Sequence, residues 1–355
     1  MKPNIRIWGA LAAICLLSAC HSGEEMTYST DPVTNIEGLW RIIDTRYCYV
    51  EDKGINWDAI REEYVAKAAL IKKDDQVALF DLCAAMLDSL RDGHVNLYSP
   101  FDRSANAAWF DTFPADFDAR LQALYLKNYR VAGGLYYSII DDGKVGYIYY
   151  SSFSNSFSAG NFYWVFKTFE QCEGLIIDVR NNGGGDLTNA YRLSSPFYTE
   201  NKTIGYWRHK NGTGHNDFSD FEPLTSDASL IGSKWEKPVI ILCNRRTYSA
   251  ANMFVNIMRY VPNARIVGGR SGGGGGMPMS YEMPNGWMVR FSSVRMYDRD
   301  KQDIENGILP DVQMTMTSSD KDDIIEKAIQ LIHNDCNLMQ RYKFSMKYAK
   351  MAAKK

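Results

Sequence analysis

Residues 239–261 read VIILCNRRTYSAANMFVNIMRYV. A short apolar strand runs into a polar turn, and Ser249 then opens an amphipathic helix. This layout sets a hydroxyl beside unpaired backbone N–H groups at the positive end of a helix dipole. A serine there can attack a carbonyl, and the oxyanion that forms can be held. Serine is also a favoured N-cap, and most serines so placed only cap, so the segment alone favours a structural role.

A serine nucleophile needs a base within hydrogen-bond reach and donors for the oxyanion. No lysine occurs between Pro238 and Asp300, which excludes a local Ser–Lys pair downstream of Ser249. The chain has five histidines. His21 sits near the N-terminus. His333 ends the last helical pattern, where a surface cation beside the C-terminal dipole is the simple account. His209 and His215 lie in a polar loop, and their spacing does not suit a metal face. His94 follows Asp92-Gly93 on a turn leaving a helical region, and it is the base candidate by elimination. The glycine run Gly183–Gly185 lies between an apolar strand and a helix, where backbone N–H groups can turn toward a ligand. Its spacing is neither a dinucleotide fingerprint nor a phosphate loop with its lysine. The run Gly272–Gly276 reads as a flap or a close backbone approach.

The elements around these residues imply an α/β core. Residues 36–90 carry helical periodicity and form an N-terminal helical domain, with Leu79, Leu82, Cys83, Met86, Leu87 and Leu90 on one stripe. Strand patterns follow. Leu135–Ile140 and Val145–Tyr150 flank the hairpin turn Asp141-Asp142-Gly143-Lys144. Phe157–Phe169 reads as a helix, Gly174–Val179 as a buried strand and Leu187–Leu193 as a second helix. Thr203–Trp207 and Trp287–Phe291 read as further strands. Ser319–Ile332 reads as a capped amphipathic helix with Asp320, Asp322 and Asp323 in its first turn. Alternating strands and helices with buried strands imply an α/β core. Residues 100–130 are mixed and aromatic and give no firm assignment.

The chain has 355 residues, 45% of them hydrophobic, enough for one large domain or two with real cores. A net charge of −2 argues against nucleic acid as a partner. Lys2 and Arg6 precede an apolar run too short to span a bilayer, ending Leu17-Ser18-Ala19-Cys20. That ending resembles a bacterial lipobox. It implies a signal peptide over 1–19, lipidation of Cys20, a tether over 20–34, export and anchoring to the outer membrane. Apart from Cys15 and Cys20, five cysteines remain, an odd number with no zinc-like spacing. Cys172 and Cys243 lie beside apolar strands and read as buried small hydrophobes. The segment 336–355 is a basic tail.

Five segments, in order, resemble the tail-specific serine peptidases, the family of C-terminal processing peptidases and the tricorn protease core. They are Leu90-Arg91-Asp92-Gly93-His94, Val145-Gly146-Tyr147-Ile148 leading to Phe153, Asp178 through Gly185, Thr247-Tyr248-Ser249-Ala250-Ala251, and Glu305 through Asp311. Glycine stands where the processing peptidases carry their lysine, so the resemblance is to the tricorn-like Ser–His branch. It implies a crotonase-like ββα core over 99–335, joined to the helical domain over 35–98, and peptide or protein substrates. It implies Ser249 as nucleophile, His94 as general base and Glu305 completing or orienting the relay. The oxyanion donors it implies are the N–H groups of Gly184 and Ala250, with Gly185 as neighbour. No metal or organic cofactor is implied. Tricorn has a serine just before its histidine, and this chain has Gly93 there. The interval after His94 is too short for a PDZ domain. A second reading on the same fold is a non-catalytic ligand- or peptide-binding surface lipoprotein.

Overall fold

The computed structural model describes residues 28–104, 113–232 and 234–335. The expected signal peptide, the expected lipidation site Cys20, most of the expected tether and the basic tail lie outside the described residues.

The five-residue runs Gly174–Asp178 and Val239–Cys243 have no exposed position. They pair in parallel at the centre of a seven-stranded sheet. We number the strands β1 Asn96–Tyr98, β2 Arg130–Ala132, β3 Leu135–Ile140, β4 Val145–Tyr149, β5 Gly174–Asp178 and β6 Thr203–His209. The rest are β7 Glu222–Thr225, β8 Val239–Cys243, β9 Ala264–Gly268, β10 Gly276–Glu282, β11 Met288–Tyr297 and β12 Val312–Gln313. The large sheet has the order β12-β9-β8-β5-β4-β3-β2, antiparallel only at the β4–β3–β2 end. The hairpin turn falls where the Asp-Asp-Gly signal places it. Asp141, Asp142 and Gly143 all take positive φ, and Lys144 N–H closes onto Asp141 C=O at 3.1 Å.

Each face of this sheet is covered, which is why its central strands are apolar throughout rather than alternating. Helices α5 Ala159–Thr168, α6 Leu187–Ser194 and α7 Ala250–Met258 pack on one face with Leu175, Ile177, Val239 and Ile241. The last helix, α8 over 323–335, covers the other face with Ile324, Ile325, Ala328 and Ile332 against Tyr147, Ile176, Ile240 and Leu242. Full burial of each aliphatic side chain contributes roughly 1.5–3 kcal/mol. The α8 cap differs from the sequence expectation. Asp322, not Ser319, is the capping residue, its Oδ1 accepting from the N–H groups of Ile324 and Ile325. Arg180 draws this carboxylate inward, and a buried guanidinium needs such partners more than the helix needs an upstream serine.

The N-terminal helices α1 Pro32–Arg46, α2 Trp57–Ala68 and α3 Gln76–Asp88 pack on a second, antiparallel sheet. In it β11 pairs with β1, β10 and β6, and β6 with β7. Ile36, Leu39, Leu79, Cys83 and Leu90 share one core with Leu97, Val289 and Phe291 of that sheet. In the otherwise unassigned stretch, a short helix, α4, covers Ala119–Ala123. Among the described residues no helix is long and apolar enough to cross a membrane.

Candidate active site

The turn from β8 into α7 carries Ser249, and its backbone is tied down from three sides. Thr247 Oγ1 donates to Val179 C=O at 2.8 Å and accepts from Asn244 N–H at 3.0 Å. Tyr248 N–H donates to Asn182 C=O at 3.0 Å, and Ser249 N–H to Gly273 C=O at 2.8 Å. Between these ties Ser249 adopts φ 57° and ψ −122°, a conformation costly for a residue with a Cβ. Its side chain makes no capping bond. The hydroxyl instead lies 2.9 Å from His94 Nε2. The N-cap reading of Ser249 therefore does not describe this molecule.

His94 arrives from the tight turn after α3. Asp92 Oδ1 accepts from the His94 backbone N–H at 2.8 Å and from the Tyr248 hydroxyl at 3.2 Å, while Oδ2 accepts from the Tyr47 hydroxyl at 2.6 Å. The Tyr248 ring lies against the imidazole, with centroids 4.9 Å apart. Nδ1 of His94 lies 3.2 Å from the hydroxyl of Ser292 on β11. Burial lowers the imidazole pKa to about 4. The Asp92 carboxylate opposes this, and the cations of Arg290 and Lys53 add to it. His94 is thus neutral at neutral pH, the form in which a base works.

The position beside Nδ1 belongs to Ser292, and Glu305 is not hydrogen-bonded to the ring in the described network. Glu305 Oε1 lies 3.9 Å from Lys53 Nζ, and Oε2 is buried with no hydrogen-bond partner. Burial and then the nearby Asp92 carboxylate push Glu305 well above the usual carboxylate range. Asp92 moves the other way. Burial raises it, but Lys53, His94 and the Tyr47 hydroxyl outweigh that and hold it below its ordinary value. The two buried carboxyls repel each other's charge, so ionisation is favoured at Asp92 and disfavoured at Glu305.

The glycine loop after β5 faces the serine. Gly184 has φ 96°, and a Cβ there would lie 2.7 Å from the Ser249 Cβ, so only glycine permits this approach. Its N–H donates to Asn182 Oδ1 at 3.0 Å, so that donor is engaged in this structure. The Ala250 N–H heads α7 and has no intrahelical acceptor by geometry. Gly185, with φ 137°, packs against Phe153 and Ser154. Asn181 and Asn244 lock the two loops together: Asn181 N–H donates to Asn244 Oδ1 at 3.0 Å, and Asn244 Nδ2 to Asn181 Oδ1 at 2.8 Å. Ahead of the loop, Arg180 is fully buried and holds Asp178 on β5 and Asp322 on α8 at 2.6 and 2.8 Å.

The structure brings Ser249 and His94 together. It sets Gly184 and Ala250 beside the serine and leaves Glu305 near Lys53, within electrostatic reach of Asp92. The sequence reading missed Ser292, Asp92 and Tyr248 as neighbours of the imidazole. Asp92 and Tyr248 stood next to flagged residues. Ser292 lies in an ordinary strand and carried no local signal. The remaining described histidines serve elsewhere: His209 lies 3.3 Å from Glu222, His215 joins Asp44 and Glu51, and His333, near the end of the last helix, joins Asp141 and Glu173. Cys172 and Cys243 are buried free thiols, and burial pushes the Cys243 thiol up to about 12. Among the described residues no cluster of metal-ligating side chains could hold an ion.

Residues 144–314 match the model of Peptidase family S41, and residues 34–88 match that of the Tricorn protease C1 domain. Ser249, Gly184 and Glu305 fall inside the first span, and His94 falls between the two. A crystal structure of a putative peptidase from Parabacteroides merdae ATCC 43184 is 42% identical, covering 85% of this chain and 96% of that one, with a TM-score of 0.78. The carboxy-terminal processing protease CtpA of Bacillus subtilis (strain 168) is 27% identical over 50% of this chain and 36% of its own length. A probable CtpA-like serine protease of Staphylococcus aureus (strain bovine RF122 / ET3-1) is 26% identical over 48% of this chain and 33% of its own length. The chain thus spans about a third of the length of these curated relatives.

Proposed function

The chain belongs to peptidase family S41, and from that premise we propose that it hydrolyses peptide bonds through an acyl-enzyme on Ser249, with His94 as general base. One observation carries the reading: a strained serine hydroxyl 2.9 Å from a neutral, buried imidazole nitrogen. A serine held at a conformational cost, unused as a cap and aimed at a base, has little structural reason to exist.

In the proposed reaction Nε2 of His94 takes the hydroxyl proton as Oγ attacks the substrate carbonyl. Nδ1–H donates to Ser292 Oγ, which fixes the tautomer. The imidazolium that forms is stabilised by the Asp92 charge. Donors at the head of α7 and in the facing glycine loop, Ala250 with Gly184 and Gly185, receive the oxyanion. Removing one such donor typically costs about 3–4 kcal/mol of transition-state stabilisation. Gly184 takes part only if its N–H leaves Asn182. His94 returns the proton to the leaving amine, and water completes the cycle. Glu305, whose ionisation burial and Asp92 disfavour, is proposed to leave the negative charge on Asp92.

A serine-directed fluorophosphonate probe tests the assignment. Labelling and peptide hydrolysis that both vanish in Ser249→Ala support it; unchanged turnover in purified Ser249→Ala discards it. We propose further that the protein is exported and held on the outer membrane through acylated Cys20. Metabolic labelling with palmitate, lost in Cys20→Ser, checks that part separately.

A further inference from the structure

The antiparallel register around β11 sets one cation on the strand face that also carries the hydroxyl meeting the imidazole. Side chains alternate across a strand, so residues two apart share a face. Val289 and Phe291 point into the core with the N-terminal helices. Ser292 points the other way, to His94, and Arg290 therefore shares its face, roughly 7 Å along the strand. The residues directly opposite Arg290 are Asn96 on β1 and Ser280 on β10, both uncharged. Arg290 is half-buried, and it has no ion pair among the described residues. The nearest acidic residue in register, Glu282, is exposed and stands opposite Met288. Lys53, the other cation acting on the imidazole, is already turned toward Glu305.

A guanidinium in this setting is expensive to leave alone. It opposes protonation of the base, which the reaction requires. A planar, half-desolvated fork suits a carboxylate in bidentate contact. Resting on the reading of Ser249 and His94 as a hydrolytic pair, we propose that Arg290 receives a carboxylate of the peptide substrate close to the scissile bond, making the site selective for acidic peptide. An acidic side chain and a chain-terminal carboxylate present the same chemistry to it. A carboxylate seated there cancels the cation next to the imidazole, so the preference extends to turnover as well as binding.

The test uses full-length protein carrying Ser249→Ala, so that binding is read without turnover. The probes are fluorescein-labelled hexapeptides with a single Asp or Asn walked through each position, each made as the free acid and the C-terminal amide. Anisotropy titration should show tighter binding of the probes that offer a carboxylate, by roughly ten- to a hundredfold. The Asp/Asn arm and the acid/amide arm show which source is used. Added Arg290→Gln should collapse that ratio toward one, and Arg290→Glu should invert it. Equal binding of charged and neutral probes, no binding of any acidic probe, or a ratio that survives both folded variants overturns the proposal. Hydrolysis by the unmodified chain is read in parallel. Its absence counts against the Ser249–His94 reading, while the anisotropy ratio still decides the role of Arg290.

Discussion

The ring of His94 leans on Ser292, 198 positions later in the chain, with Nδ1 3.2 Å from the hydroxyl and no carboxylate in that place. Among the described residues the only carboxylate bonded to His94 is Asp92, and it takes the backbone N–H. A hydroxyl can orient an imidazole but cannot balance its charge. Ser292→Ala should therefore lower kcat/KM by about five- to tenfold, the worth of one neutral hydrogen bond, with KM little changed. Steady-state kinetics on one fluorogenic peptide measures this. A loss as deep as that of Ser249→Ala would mean that Ser292 reacts rather than positions.

The depressed imidazole sets a pH profile. With His94 at about 4, the base is unprotonated at any higher pH. The acid limb of kcat/KM should fall through about pH 4, well below the ordinary histidine range. The same shift bears on stability. Between about 6.5 and about 4 an unfolded His94 takes up a proton that the folded one refuses. The unfolded state then binds more protons, and stability falls as pH drops through that window. An acid limb centred near pH 6.5 would show that the imidazole is solvated in the working enzyme.

Local chemistry made much of this legible in advance. The buried strands β5 and β8 and the Asp-Asp-Gly hairpin follow from apolar runs and turn residues; elimination among histidines made His94 a candidate, and the family resemblance paired it with Ser249. What stayed hidden depends on contacts between distant segments. Ser292 and Arg290 acquire meaning only from the register of β11 with β1 and β10. Asp322 displaces Ser319 as the α8 cap because Arg180, 142 positions earlier, needs it. Glu305 turns toward Lys53 while Ser292 takes the place beside the imidazole, which motif order could not convey.

The upward shift of Glu305 makes an isosteric test possible. Glu305→Gln keeps the shape and the neutrality that the buried site imposes, so most activity should survive. Asp92→Asn removes the charge that stabilises the imidazolium and should cost much more. Measuring both variants on one substrate gives the order directly. A Glu305→Gln enzyme as impaired as Asp92→Asn would place the working charge on Glu305.

Ser249 holds a backbone conformation that suits glycine. Replacing it by alanine keeps the strain and loses the hydroxyl. Replacing it by glycine relieves strain worth on the order of 1–3 kcal/mol, partly offset by the entropy glycine loses on folding. Both variants should be inactive, but Ser249→Gly should melt at a higher temperature than Ser249→Ala. Equal melting temperatures would mean that the turn relaxes in solution.

Arg180 links site geometry to stability. Its guanidinium is fully buried between Asp178 and Asp322, and the Tyr147 hydroxyl adds a bond to Asp178 at 2.8 Å. Removing one partner of such a cluster leaves buried charge without compensation, which typically costs about 3–5 kcal/mol. Arg180→Ala should therefore lower the melting temperature steeply, and Arg180→Lys should recover only part because it cannot span both carboxylates with a planar fork. The glycine loop starts at the next residue, and α8 loses the contact that draws its cap inward. Whatever fraction stays folded should consequently show a lower kcat, since the loop facing Ser249 has lost its anchor. Calorimetry and active-site titration on the same sample separate the two effects. An Arg180→Ala protein that melts earlier yet keeps full turnover per titrated site would make this cluster a stabiliser of the sheet alone, with the glycine loop held by Asn181 and Asn244.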